Sequence, residues 1–254
     1  MRFQPDSRLG LEWLYKLDEL RAYSVDTKQG RERLDLFTKH LPGMLEAAGL
    51  ELPPKPRVLC LMAGSCVEGI AYGQLLQAQV TCLDLQRQML AKGKREARRR
   101  KLKLATATGD AKEVARVTKG QFDLVTIHGS PLPHLNIFEF DQIVDGVKKV
   151  LGGHGTFLLE QSDLVFRILS QYRDVIVANL KPVVLNVHKG FNPSQGYFER
   201  LYYSRSKHEL FRSYLWSPWI VEYVLKKNGF SNVRVKPYAD PYAMAQTYLF
   251  TSQK

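Results

Sequence analysis

Four positions carry residue types that suit one kind of chemistry. Gly64, in LMAGSCVEG, falls where a short apolar strand gives way to a helix, and a missing Cβ there lets backbone amides approach a ligand at the helix start. Asp84 ends the next apolar run, VTCLDL, where a carboxylate can accept hydrogen bonds from both hydroxyls of a ribose. Gly109 and Asp110 end a third run, LATATGD, and would receive an exocyclic amine. Together these positions describe an adenosine site. His128 closes a fourth run, FDLVTIH, with an imidazole that titrates near neutral pH and could serve as a base or border a reacting group. His134 could simply cap the helix that follows.

What is absent narrows the ligand. A phosphate loop needs Lys and Ser or Thr after its second glycine, whereas Gly69 is followed by Ile70 and Ala71, so nothing would hold the β- and γ-phosphates or magnesium. A dinucleotide fingerprint wants three glycines around a pyrophosphate; here one glycine stands at the tight point, flanked by Met62 and Cys66. The three cysteines, Cys60, Cys66 and Cys82, lie in an apolar stretch, and no Cys and His spacing suggests zinc, so no metal is expected.

These positions need elements to hold them. Arg57 opens a region of short apolar strands alternating with helices: RVLCLMA, a helix over residues 68–76, VTCLDL, a basic helix, LATATGD, FDLVTIH, a helix over 140–151, and TFLLEQS. Strands apolar on both faces and separated by helices imply a parallel sheet covered on both sides, which binds ligands at the carboxyl ends of its strands. Before it, apolar residues recur at three and four over residues 8–50, as in Leu9, Trp13, Leu17 and then Leu34, Phe37, Leu41, which predicts two helices that end at the ELPPKP junction. After the helix LVFRILSQYR, the runs VVLNVH, YFERLYY and ELFRSYLW, parted by turn-like segments, predict an antiparallel meander. SPWIVEYVLKKNGF then reads as a helix, with VRVKPYA and AQTYLFT as antiparallel closing strands at the sheet edge.

In order and spacing, four of these segments resemble the Rossmann-like (class I) S-adenosylmethionine-dependent methyltransferases. VLCLMAGSC at 58–66 lines up with the family's VLDLGCGTG, CLDLQRQML at 82–90 with its GVDxSxxML, ATGDAKEV with its third motif, and VLGGHGTFLLEQ with its LKPGG strand. The matched register covers about residues 57–162. The resemblance implies a doubly wound, mostly parallel seven-stranded α/β sheet whose last strand is antiparallel, with an N-terminal helical cover over residues 1–56. The catalytic domain would then span 57–254, with a β meander inserted at about 180–216 as a substrate cap. It also implies S-adenosylmethionine as cofactor: Asp84 on the ribose, Met89 near the adenine, Asp110 and Ala111 at the adenine edge, Gly64 beside the methionine moiety, and Met62, Ala63, Leu85 and His128 completing the set. The chain departs from the family at Cys60, where an acid is usual, and at Met62 and Cys66, which replace glycines.

Composition decides less. Charge is +12, but residues 92–103 alone hold eight Lys and Arg against one Glu. Around a helix these cations spread widely and leave a thin stripe of Leu90, Gly93, Ala97 and Leu104, the pattern of a solvated helix resting on a sheet rather than of an RNA-binding face. Most of the chain's aromatic residues follow position 186, and in similar enzymes an insertion at this place covers the active site. Tyr23, His188, Tyr197, Arg200 and Tyr202 are candidate substrate contacts there and in the N-terminal cover. The expected acceptor is a small molecule, with RNA methylation through residues 92–103, or a non-enzymatic partner-binding scaffold, as the alternatives. No apolar run approaches the ~20 residues that span a bilayer, and a cytoplasmic protein is the expectation.

Overall fold

The computed structural model describes residues 24–180, 183–205, 208–239 and 246–254. Its strands are β1 (Arg57–Leu61), β2 (Gln79–Asp84), β3 (Leu104–Thr108), β4 (Phe122–Ile127), β5 (Leu151–Ser162), β6 (Val175–Leu180), β7 (Val183–Asn192), β8 (Tyr197–Tyr203), β9 (His208–Tyr214), β10 (Ser231–Tyr238) and β11 (Thr247–Gln253). The helices are α1 (Lys28–Ala48), α2 (Val67–Leu76), α3 (Arg87–Arg99), α4 (Val114–Val117), α5 (Ile137–Val150), α6 (Leu164–Gln171) and α7 (Pro218–Lys227).

Seven strands form one sheet in the order β10-β11-β5-β4-β1-β2-β3. β1 to β5 run parallel, while β11 is antiparallel both to β5 and to the edge strand β10. Alternation along each strand feeds two separate cores. Leu59, Leu61, Leu83, Val125, Ile127 and Leu159 face α5 and α7, whereas Val58, Cys60, Val80, Cys82, Leu124 and Leu158 face α1 and α2. Each fully buried Leu, Ile or Val contributes roughly 1.5–3 kcal/mol, so this double covering is what holds the loops at the strand ends in place. Strand order reverses between β1 and β4, the kind of switch point at whose carboxyl ends, in the crevice there, doubly wound sheets bind ligands.

An amphipathic N-terminal cover is expected from the sequence to pack on the open carboxyl edge of the sheet, but the one N-terminal helix described here lies elsewhere. Leu34, Leu41 and Met44 of α1 pack with Tyr72 of α2 and with Leu124, Leu158 and Leu249 of the sheet, so α1 is a layer on the sheet's face beside α2. An apolar stripe that wide finds far more surface on the sheet than across the strand ends. The residues just before α1 do reach the edge: Val25 N–H donates to Ser65 Oγ at 2.8 Å, and Lys92 Nζ bridges Ser24 Oγ and Asp26. The expected helix over Leu9 to Leu20, and Tyr23, lie outside the described residues.

The meander has four strands, β6-β7-β8-β9, all antiparallel. Its first strand, VIVANL, was not among the expected ones. α3 ends at Arg99, and Leu104, which the sequence put both on the helix stripe and at the start of the strand LATATGD, opens β3 as the strand reading expects. Buried on α3 are Met89, Leu90, Gly93, Glu96 and Ala97, while Arg87, Lys94, Arg95, Arg98 and Arg99 are exposed. The cations therefore gather on the half of the helix away from the sheet, where the sequence had suggested a wider spread. Glu96 is the buried exception. Burial works to raise its carboxyl, but hydrogen bonds and charge from Arg100 and Arg99 outweigh that and hold it below the usual range.

Candidate functional site

The loop after β1 keeps the backbone of a glycine-rich turn with side chains built into it. Met62, Gly64 and Cys66 have φ of 53°, 48° and 61°, a left-handed conformation that costs non-glycine residues energy and persists only where the surroundings impose it. The surroundings are visible. Ala63 N–H donates to Leu83 O at 3.1 Å and Cys66 N–H to Ala63 O at 2.7 Å. Gly64 N–H donates to Asp84 Oδ2 at 2.8 Å, tying the loop to the end of β2. The three thiols are free and buried, and hydrogen bonds with Cys60 and Cys66 push the Cys82 thiol well up, which makes Cys82 inert packing.

Asp84 is the hinge of the arrangement. Oδ1 accepts from Gln86 N–H at 2.8 Å while Oδ2 takes Gly64, leaving each oxygen a further lone pair. Burial raises the carboxyl above its ordinary range, and the two backbone N–H groups offset only part of that. Beside it Leu85 is 45 % exposed, an apolar side chain left uncovered at the strand ends, while Met89 is nearly buried. The end of β3 joins the same edge, since Gly109 N–H donates to Asp84 O at 3.1 Å. Asp110 caps a short 3-10 turn through Lys112 N–H, and Lys112 Nζ spans Asp110 and Glu139. Ala111 is buried beneath it. The structure thus brings together Met62, Ala63, Gly64, Asp84, Leu85, Met89, Asp110 and Ala111.

Close approach of α3 completes the loop. A Cβ at Gly93 would stand 2.4 Å from Ser65 O and 2.7 Å from Cys66 Sγ, so only glycine lets the helix come that near. Gly93→Ala should destabilise the fold by about 1–3 kcal/mol, the cost of overpacking, and weaken any ligand held by the loop. Thermal unfolding checks the first part; an unchanged melting temperature would mean the loop yields freely.

His128 is the exception among the expected residues. Period-two alternation places it with Leu124 and Thr126 on the face covered by α1 and α2, not in the crevice. Its Nε2 lies 3.0 Å from Tyr72 Oη and its Nδ1 3.2 Å from Glu160 Oε2, with the Phe37 ring of α1 edge-on at 5.1 Å. Tyr72 and the Glu160 carboxylate thus engage both ring nitrogens, with Nδ1–H donating to the carboxylate. With both ring nitrogens engaged, neither is left free to take a proton from an acceptor in this arrangement. Glu160 also accepts from Gly129 N–H at 3.3 Å. Burial acts to raise its carboxyl, but the hydrogen bond and charge of His128, the charge of Arg33 and the Gly129 amide together hold it below the usual range. Arg33 itself pairs with Glu68 at 3.0 Å, both nearly buried, pinning α1 to the first turn of α2. Sequence reasoning passed over Tyr72 and Glu160; the one available signal was an acid inside the apolar run TFLLEQS.

The substrate candidates divide by strand register. His188 pairs with Arg200, Arg200 with Phe211, and Tyr202 with Asn186, so these share one face of the meander. Tyr197, at odd spacing from Arg200, faces the other way and packs on Tyr214 at 5.4 Å. His134 caps nothing. Asn136 is the N-cap of α5 and closes a capping box with Glu139, while the His134 ring meets Phe211 at 5.4 Å. A depression of about 290 Å³ at the β7–β8 hairpin is lined by Phe191, Asn192 and Tyr197 among other meander residues, and by none of the loops after β1, β2 or β4.

Residues 58–155 match the family model described as a methyltransferase domain. That match spans less than half of the chain. Among solved structures, the PH0226 protein of Pyrococcus horikoshii OT3 superposes with a TM-score of 0.67 at 17% identity, over 95% of this chain and 98% of that one. An S-adenosylmethionine-dependent methyltransferase from Clostridium acetobutylicum ATCC 824 gives 0.64 at 13% identity, covering 96% and 97%. CalS10 from Micromonospora echinaspora, an amino pentose methyltransferase with S-adenosylmethionine bound, gives 0.61 at 13%, covering 87% and 91%. At such identities the likeness is one of fold. No curated protein matches the chain. No helix among the described residues is long and apolar enough to cross a membrane.

Proposed function

We propose that the protein is an S-adenosylmethionine-dependent methyltransferase acting on a small molecule. The observation that carries this is the Asp84 carboxylate at the end of β2, anchored to the Gly64 loop, with two lone pairs free for vicinal hydroxyls and Leu85 exposed beside it. An adenosine fits that donor set: Asp84 would hold the ribose, Leu85 and Met89 would flank the adenine, Asp110 and Ala111 would meet its edge, and the loop Met62 to Gly64 would bear on the methionine part. When bound, the cofactor supplies a sulfonium-activated methyl group, so the chain need only align an acceptor and exclude water. His128 stands as a positioning residue, joining β4, β5 and α2. Small-molecule substrates are supported by neighbours whose names specify an amino pentose and a glycopeptide.

Calorimetry on the intact protein with S-adenosylmethionine and S-adenosylhomocysteine tests the reading; binding of neither at millimolar concentration refutes it. One observation favours RNA as acceptor, namely the exposed cations Arg87, Lys94, Arg95, Arg98 and Arg99 on one side of α3. That reading demands a log-linear loss of RNA affinity with salt from counterion release. Tight tRNA or rRNA binding with such a slope, reduced by neutralising Arg95 and Arg98, would reverse the order.

A further inference from the structure

We infer that the methyl acceptor carries an anionic group, and that Arg200, on the face of the meander it shares with His188 and Phe211, binds it. The inference rests on the methyltransferase reading for the existence of an acceptor, but its geometry is independent of the cofactor loops. Arg200 Nη2 donates to the carbonyl oxygens of Asn186 at 3.2 Å and Arg173 at 3.3 Å, and Nε donates to Asn186 Oδ1. Three neutral acceptors therefore fix the guanidinium on one side. No carboxylate among the described residues lies within ion-pair distance of it, unlike Arg212 on the opposite face, which pairs with Glu199 at 3.3 Å. A half-buried, immobilised guanidinium with its Nη1 end uncommitted is a fork prepared for a carboxylate or phosphate oxygen. Burial and the nearby charge of Arg167 work against its charge, with Tyr172, Tyr202 and Asp174 opposing them, so an added anion would relieve the remaining cost.

The position suits an acceptor. Phe211, Arg200 and His188 are register partners on three adjacent strands, spaced about 5 Å apart across the sheet. The Phe211 end touches His134, in the loop that follows β4 at the carboxyl edge. At the other end the His188 ring meets Tyr172 and Phe198 edge-on, at 5.5 and 5.2 Å. Two further signs point to a missing partner on this path. Nδ1 of His134 and Nδ1 of His188 are both buried without a hydrogen bond, a rare condition for polar atoms. Burial lowers His134 to about 4, so at neutral pH its imidazole is uncharged and offers hydrogen bonding only. Charge recognition then falls to Arg200, and the aromatic flanks suit a flat apolar body attached to the anion.

The test uses the full chain loaded with S-adenosylhomocysteine and four probes of one shape: benzoate, phenyl phosphate, benzamide and benzylamine. Dissociation constants come from ligand-observed NMR. Benzoate or phenyl phosphate should bind at least about tenfold tighter than benzamide and benzylamine, a charge-assisted hydrogen bond against a neutral one. Whichever anion binds tighter identifies the acceptor's group as carboxylate or phosphate. Arg200→Gln should erase the anion preference and Arg200→Lys should keep part of it, with S-adenosylhomocysteine affinity unchanged in both. Equal binding of all four probes, including no binding, or an undiminished anion preference in Arg200→Gln, overturns the inference. Repeating the series without S-adenosylhomocysteine keeps the two readings apart: a wild-type chain that takes the anions but not S-adenosylhomocysteine loses the methyltransferase reading and keeps the anion site.

Discussion

Asp84→Ala will lower the affinity for S-adenosylhomocysteine by at least about 100-fold. Two hydroxyl-to-carboxylate hydrogen bonds at roughly 1.5–3 kcal/mol each account for that much or more. The same change strips the acceptors from Gly64 N–H and Gln86 N–H and so unties the loop after β1 from β2. Asp84→Asn, which keeps one acceptor oxygen, should lose less. The carboxyl also sets a pH dependence. Burial raises it above the ordinary range, so the folded protein holds this proton more firmly than the unfolded chain does. Stability therefore declines as pH rises from the ordinary aspartate value through the raised one, and the cost persists at neutral pH. Hydroxyl donors favour the ionised form, so cofactor affinity should climb with pH over that window and level off above it. Calorimetry across the acid range measures this, and an Asp84→Ala protein that binds as tightly as wild type removes Asp84 from the site.

How much of this was legible in the sequence follows from how far each feature is local. The parallel strands were readable because residues such as Leu59 and Cys60 are apolar on both faces, which only a doubly covered sheet explains. Asp84 and Gly64 were readable because a strand end fixes where a carboxylate and a tight turn must fall. The closing helix was read from Ser217, Pro218 and Gly229; the structure keeps Ser217 as N-cap residue and Pro218 at the first position, though the Ser217 side chain makes no capping bond. Misread features are those decided by a distant partner. β6 exists because β7 pairs with it, and its own apolar run does not separate strand from helix. The resting place of α1 depends on which surface the rest of the chain leaves open. His128 looked like a crevice residue because strand ends face ligands; its side chain instead obeys the strand's alternation and meets Glu160 from 32 residues later. No local pattern reports that pairing.

That pairing should be the costliest to break. Glu160→Ala removes a buried carboxylate and leaves the His128 Nδ1–H and the Gly129 amide without an acceptor, while Arg33 loses part of its compensating field. Breaking a buried pair from one side costs about 3–5 kcal/mol, which in a chain of this size lowers the melting temperature by roughly 10 °C or more. Removing both partners should be cheaper than the sum. In Glu160→Leu with His128→Leu, two apolar side chains replace two desolvated polar ones, and much of the loss should return. Sign follows from the depressed carboxyl. Its contribution is present above the ordinary glutamate range and is lost as pH falls through the lower, folded value, so wild type and Glu160→Ala should converge in acid. Because the pair sits under α1 and not in the crevice, S-adenosylhomocysteine affinity should fall far less than in Asp84→Ala. Thermal unfolding at neutral and acid pH, with binding measured on the same samples, separates the two roles: a Glu160→Ala protein that melts with wild type yet binds no S-adenosylhomocysteine would move Glu160 and His128 from the scaffold into the site.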